Sequence, residues 1–168
     1  EGLETIGNTV FRDCTSLQDI NWPDSLRSIG MWAFCGCSSL TQVQLNENMQ
    51  TLDQCAFQQC SSLSEVTLPD GLANFYANVF SETACVVKTS NISYYAAIRQ
   101  QIEAGKKLEE QGKNNFYKDV QVKLLDAEGN EIEGVVFEEN NYRYIVLDDN
   151  SVQLLGYTGD MPGGVLRL

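Results

Sequence analysis

The sequence predicts an α/β repeat fold: a solenoid of parallel strands, then a helix, then a small antiparallel β extension. Three observations predict it. One phrase is written three times, as "VFRDCTSL" (Val10 to Leu17), "AFCGCSSL" (Ala33 to Leu40) and "AFQQCSSL" (Ala56 to Leu63), at a spacing of 23 residues. Apolar residues keep register across that period without a gap. Past residue 90 the period stops, and helical and then alternating patterns replace it.

The units begin at Gly2, Ser25, Asn48 and Gly71. Leu3, Leu26, Met49 and Leu72 align, as do Ile6, Ile29, Leu52 and Phe75, and Phe11, Phe34, Phe57 and Phe80. Leu17, Leu40 and Leu63 follow, then Ile20, Val43 and Val66, then Trp22, Leu45 and Leu68. A unit of this size is too small to enclose a core alone. Stacked units cover one another, and each shared position becomes a column of like side chains. In "LQDINW", "LTQVQL" and "LSEVTL" the last two apolar places follow the two-residue period of a strand, so adjacent coils pair there as parallel strands. A shorter extended piece is expected at "LRSIG" and "MQTLD", and the "AF" part turns the chain back.

The pattern L-x-x-I-x-x-x-A-F-x-x-C-x-x-L-x-x-V-x-L-P resembles the BspA-type leucine-rich repeat, found in surface proteins of host-associated bacteria; the resemblance covers residues 2 to about 90. It implies a leucine-rich-repeat solenoid over 1–90 with three full units and a degenerate fourth. It also implies an extracellular or cell-surface location and adhesion to host extracellular or bacterial surface partners, whether protein or glycan. Two departures stand out. The proline that closes the strand is present as Pro23 and Pro69 but is Asn46 in the middle unit, and the fourth unit has Thr83 in the cysteine register, with Cys85 two places on.

Composition excludes several function classes. The formal charge is −12, with three Lys/Arg against ten Asp/Glu over residues 1–98 and eight against thirteen over 99–168. Both parts would repel a phosphate backbone or an anionic membrane, so no nucleic-acid partner is expected. Mean hydropathy is −0.23, and no apolar run approaches the ~20 residues a membrane-spanning helix needs, so no membrane insertion is expected in this segment. There is no histidine, which removes the commonest general base and any His-supported nucleophile.

Six cysteines invite a zinc or disulfide reading. Cys14, Cys37 and Cys60 share one repeat position, and repetition alone explains their spacing: a column of small buried thiols. The parallel Cβ vectors of such a column disfavour a disulfide. A zinc site from Cys35, Cys37, Cys55 and Cys60 would need a C-x-C half, tighter than the usual spacing. No metal and no cofactor is expected.

Residues 91–113 carry Ile92, Tyr95, Ile98, Ile102 and Leu108 at near-helical spacing, with Ser90 or Asn91 to cap the start and Gly112 the end. Gly105 weakens the second half by ~1 kcal/mol against Ala. A helix there would close the open end of the array; an exposed helix leading to a partner is the alternative. Residues 114–168 read as strands, with "DVQVKLL" running into the turn "DAEGN", and "YRYIVL", the turn "DDNS" and "VQLLGY" forming a hairpin. In the resembled family a phrase like "VQLLGYTG" commonly introduces a repeat array, and Glu1 falls mid-array. The expectation is therefore a segment of a longer chain, with 114–168 leading into further repeats. A calcium loop at Asp126 fails on spacing, because Gly129 is fourth and Phe137 stands where a chelating Glu is needed. A solvated turn accounts for it, and for Asp148–Asp149.

No catalytic constellation emerges, and no catalytic residue is assigned. The outward places on the main sheet, Asp19 and Asn21, Gln42 and Gln44, Glu65 and Thr67, form a polar, mildly acidic ladder suited to holding a partner. Trp32 has no column of like residues, since its register holds Thr9, Cys55 and Asn78. It is either a contact hot spot or local packing. The expected function is a non-catalytic binding module, with a structural spacer displaying other domains as the alternative and an enzyme as a distant third.

Overall fold

A computed structural model describes residues 2–126, 128–132, 134–139, 142–147 and 152–157, with side chains described up to Ile132. The turn at "DDNS", Asp148–Asp149 and everything after Tyr157 lie outside the described residues, as does the side chain of Phe137. The chain divides into two compact units, Glu1–Glu131 and Ile132–Leu168.

In the first unit the strands are β1 (Thr5–Ile6), β2 (Ser28–Ile29), β3 (Gln42–Gln44), β4 (Thr51–Leu52), β5 (Glu65–Thr67), β6 (Asn74–Phe75) and β7 (Val86–Thr89). The short pieces form one parallel sheet in the order β1-β2-β4-β6, in which Ile6 faces Ile29, Ile29 faces Leu52 and Leu52 faces Phe75. The longer pieces form the main sheet, in which Val43 faces Val66 and Val66 faces Val87. The chain between the two sheets is a tight turn that carries the phenylalanines.

Those phenylalanines pile in a single file. Phe11 on Phe34, Phe34 on Phe57 and Phe57 on Phe80 are stacked with ring centroids 5.1, 5.4 and 5.9 Å apart and planes within 13° of parallel. Leu26, Met49, Ile29, Leu52, Leu40 and Leu63 fill the rest of the core and are fully buried. Phe11, with no coil beyond it among the described residues, remains 38% exposed.

The turns are tied to one another through the backbone. Phe11 N–H donates to Ala33 O (2.8 Å), Phe34 N–H to Ala56 O (2.8 Å) and Phe57 N–H to Val79 O (3.0 Å). Two further places in each of the first three turns, and one in the fourth, lie in the left-handed region. One column is Thr9, Trp32 and Cys55, with φ of 59°, 54° and 55°; the other is Asp13, Gly36, Gln59 and Glu82, with φ of 58°, 78°, 59° and 56°. Such angles are costly for residues with a Cβ. The twist aims amides at the next coil: Trp32 N–H reaches Gln54 O at 3.1 Å and Asp13 N–H reaches Cys35 O at 2.7 Å, while Glu82 N–H, in the last coil, reaches Phe116 O at 2.6 Å in the segment after residue 110. A recurring backbone strain is offset by recurring hydrogen bonds.

Both departures from the repeat pattern have a physical reading. Asn46, in the proline place, donates from Nδ2 to Pro23 O (3.0 Å) and Leu26 O (3.2 Å), and its Oδ1 accepts from Asn48 N–H (3.0 Å). It closes the strand by bonding the previous coil. Thr83 does the work of the cysteine it replaces. Cys37 Sγ donates to Phe11 O, Cys60 Sγ to Phe34 O, and Thr83 Oγ1 to Phe57 O, at 3.1, 3.2 and 2.7 Å. From Cys37 onward the column is therefore one of buried donors as well as small side chains; Cys14, expected to be buried with them, is exposed in the first coil. The fourth coil is shorter by two residues only after Thr83, so that β7 pairs with β5 at an offset of 21 instead of 23.

The first coil differs from expectation. Residues 19–21 form no strand. The segment runs beside β3, with Thr41 N–H donating to Gln18 O (3.1 Å), but no bridge follows. It has a neighbour on one side only. Trp22, larger than the Leu45 and Leu68 of its register, stands edge-on to Phe34 at 5.4 Å.

The helix α1 spans Ile92–Glu110, with Asn91 as its N-cap, whose side chain accepts from Ser93 and Tyr94 N–H. Gly112, at φ 70°, follows its end. It packs on the last coil: Tyr94 O–H donates to Leu72 O (2.6 Å), its ring lies 5.1 Å from Phe75, and Ile98 is buried in the core. Gly105 is buried where a Cβ would run into the Asn115 side chain, so close approach to the following segment explains a glycine within the helix. The chain then returns to the main sheet. The stretch that the sequence grouped with the β extension becomes β8 (Gln121–Leu125), parallel to β7 with Val87 facing Val122. With β9 (Glu131–Ile132) the sheet order is β3-β5-β7-β8-β9. The helix is thus the crossover of a strand–helix–strand unit.

The second unit is an antiparallel meander of β10 (Gly134–Glu139), β11 (Tyr142–Leu147) and β12 (Val152–Tyr157), with a register shift between Arg143 and Tyr144. The hairpin of "YRYIVL" and "VQLLGY" is present; β10 is an additional strand.

Phe57→Ala is expected to lower unfolding free energy by about 3–5 kcal/mol and Phe11→Ala by clearly less, because one ring is stacked on both sides and the other on one. Urea denaturation followed by circular dichroism checks this, and equal losses would contradict the stacked core.

Candidate functional site

The main sheet presents alternate side chains of each strand outward. Val43 and Val66 point into the core at 4% and 1% exposure, which forces Gln42, Gln44, Glu65 and Thr67 out to solvent. Gln42 lies opposite Glu65 and Gln44 opposite Thr67. Together they surround a shallow hollow of ≈ 360 Å³ over β3 and β5, to which Glu47 and Pro69 also contribute.

The other ladder residues are placed differently. Asp19 and Asn21 are exposed but lie beside the sheet instead of on a strand. Asp19 still joins the row, because Gln42 Nε2 donates to its Oδ1 at 3.2 Å. Trp32 sits in the turn between β2 and β3, 38% exposed, with the Arg12 guanidinium carbon 5.9 Å from its ring centroid. Its backbone is held by the left-handed turn described above.

The structure adds residues that the sequence reading missed. Because β7 and β8 continue the main sheet, the columns run on from Thr67 to Lys88 and Lys123. Lys88 Nζ lies 3.0 Å from Glu65 and 3.3 Å from Glu131, and Lys123 Nζ lies 2.6 Å from Glu131. The hydrogen bond to Glu65 raises the Lys88 ammonium above its ordinary value, with Glu131 adding to the shift. The hydrogen bond from Lys123 holds the Glu131 carboxyl below the usual range, with Lys88 adding to it. The face is therefore a polar row that ends in an alternating charge network, and its acidity is partly neutralised. The signal for this lay in "VVKTS" and "VQVKLL", which carry a lysine immediately after an inward valine, Val87 and Val122.

The remaining candidate groups are occupied structurally. All six cysteines are free. Burial pushes the Cys37 thiol up to about 11 and those of Cys60 and Cys85 up to about 12. Among the described residues no group of three His, Cys, Asp or Glu side chains is arranged to hold a metal ion. Asp126 Oδ1 accepts from Glu128 N–H (3.0 Å) and Asn130 N–H (2.8 Å), and the bonds from Asn130 hold its carboxyl below the usual range. It organises a turn, as its spacing predicted.

Parallel coils with a leucine core and a polar outward sheet define a leucine-rich-repeat solenoid. The chain belongs to the BspA type leucine rich repeat region family, whose sequence model matches residues 1–102 in six copies. A solved structure of a leucine-rich repeat protein from Bacteroides ovatus ATCC 8483 is similar, at 26% identity and a TM-score of 0.53, over 74% of this chain. The match spans 29% of that protein's length. No curated protein matches the chain. Proteins of this repeat class commonly serve as protein-interaction modules, and this family is typical of bacterial surface proteins. No helix among the described residues is long and apolar enough to cross a membrane.

In the folded chain at pH 8, Cys14, which is exposed, is expected to alkylate readily, while Cys60 and Cys85 react only through unfolding. Their raised thiol values mean that the unfolded chain loses protons first. Stability is then full below ~8.5, the free thiol value, and falls as pH climbs toward the folded values. Mass spectrometry of iodoacetamide labelling and urea midpoints at pH 8 and 10 test this; rapid labelling of Cys60 in the native state would contradict it.

Proposed function

We propose that this chain is a non-catalytic binding module whose outward sheet face holds a protein partner, in adhesion to host extracellular or bacterial surface proteins outside the cell. The observation that carries the reading is the hollow over β3 and β5, rimmed by Gln42, Gln44, Glu65 and Thr67 on a rigid parallel sheet. Regular solenoid faces of this kind suit extended contact with another macromolecule. Asp19 and Asn21 extend the row at one end, and Trp32, paired with Arg12, offers an aromatic contact on the turn side. The family's association with bacterial surface proteins supports the location. The non-catalytic reading rests on a chain without histidine, whose carboxylates Glu65 and Glu131 are tied to lysines.

A spacer is the second reading, favoured by the match to less than a third of a longer leucine-rich repeat protein. Capture by the immobilised chain of purified host extracellular matrix proteins and bacterial surface proteins separates the two. The binding reading expects at least one partner at micromolar Kd and a tenfold or greater loss in the Gln42→Arg, Gln44→Arg double variant. No capture, or capture that the double variant leaves unchanged, overturns the assignment of this face.

A further inference from the structure

We infer that the hollow over β3 and β5 receives a lysine or arginine side chain from an extended segment of the partner, and that Glu47 selects it. The inference rests on the binding reading above and adds the chemistry of what is bound. Three observations lead to it. First, the hollow holds two carboxylates, Glu47 and Glu65, and no cation among its lining residues. Lys88, the neighbouring cation on the sheet, is already divided between Glu65 and Glu131. Second, the two carboxylates are unequal. Glu65 is ion-paired, whereas Glu47 is exposed and no hydrogen bond or ion pair among the described residues engages its side chain. A charge left over beside a concave surface is complementary to one more positive group. Third, the rest of the rim is uncharged and can both donate and accept. Gln42, Gln44, Ser64 and Thr67 stand in rows set by the parallel strands, ~4.8 Å apart, a spacing suited to the backbone of an extended segment laid across them. At ≈ 360 Å³ the hollow admits one long side chain and adjoining backbone, near the small end of pockets that hold discrete ligands.

An acidic partner is disfavoured on the same ground. Its carboxylate would face Glu47 and Glu65 with no cation free to answer it. Arginine and lysine both satisfy the charge; arginine can in addition engage one carboxylate through two parallel hydrogen bonds.

The test uses the full chain and fluorescein-labelled Gly/Ser/Thr peptides of equal length that carry two Arg, two Lys, two Gln or two Glu, read by fluorescence anisotropy at low and moderate salt. The Arg and Lys peptides are expected to bind at least tenfold more tightly than the Gln peptide. The Glu peptide should show no binding, and added salt should weaken the basic peptides. Glu47→Gln should weaken the basic peptides at least fivefold. Glu4→Gln, an equal change in net charge on the first coil, should leave them unchanged, with circular dichroism confirming that both variants fold. Equal binding of Arg and Gln peptides, equal effects of Glu47→Gln and Glu4→Gln, or no binding of the Arg peptide at millimolar concentration would overturn the inference. If a captured protein partner still depends on Gln42 and Gln44 while Glu47→Gln has no effect, the face remains the binding site and only its basic specificity falls.

Discussion

Hydrogen bonds from each coil to the next, closed over a continuous file of phenylalanine rings, are what the rest of this molecule depends on. A 23-residue unit cannot bury Phe, Leu and Ile side chains by itself. Once the amides of Phe11, Phe34 and Phe57 are tied to carbonyls of the following coil, the rings come within stacking distance and each side of the core is covered by a copy of itself. The turn adopts left-handed angles twice in each of the first three coils, and once in the fourth, to aim its remaining amides in the same direction. That requirement explains why a tryptophan and a threonine occupy backbone positions that glycine would fill more cheaply.

The same constraint accounts for the cysteines. Their column sits where a carbonyl of the previous coil, at Phe11, Phe34 or Phe57, points into the interior. A small side chain with a hydrogen to donate is needed there, and a thiol or a threonine hydroxyl both meet that need. Chemistry that resembles a metal site in the sequence is therefore a by-product of satisfying a buried carbonyl. Burial also raises these thiols well above neutral pH, which keeps them protonated and able to donate.

Much of this was legible in the sequence because it is periodic. The alignment of Phe11, Phe34, Phe57 and Phe80 and of Val43 with Val66 specified the stack and the outward places Gln42, Gln44, Glu65 and Thr67 without any coordinates. What was not legible depends on ends and on returns of the chain. Asp19 and Asn21 follow the strand pattern, yet an end coil has half the pairing that holds β3 and β5. "DVQVKLL" has the alternation of any strand, and nothing local reveals that it joins β7 after the helix, bringing Lys88 and Lys123 onto the face. Glu47 shares its register with Asp24 and Asp70, a column that reads as the solvated end of each unit; only the fold shows that the Glu47 member lines the hollow. Thr83 looked like decay of the repeat, and its hydroxyl shows instead that the slot selects a donor, not a cysteine.

The central claim, that successive coils are held in register by turn amides bonded to the next coil, is most directly tested by native-state hydrogen exchange resolved to single amides. The account predicts that Phe34, Gly36 and Phe57 amides exchange only by large-scale unfolding, with protection well above that of exposed loop amides such as Asn114. If Phe34, Gly36 and Phe57 exchanged as quickly as the loop amides under native conditions, the stacked-coil account and the binding face built on it would both be contradicted.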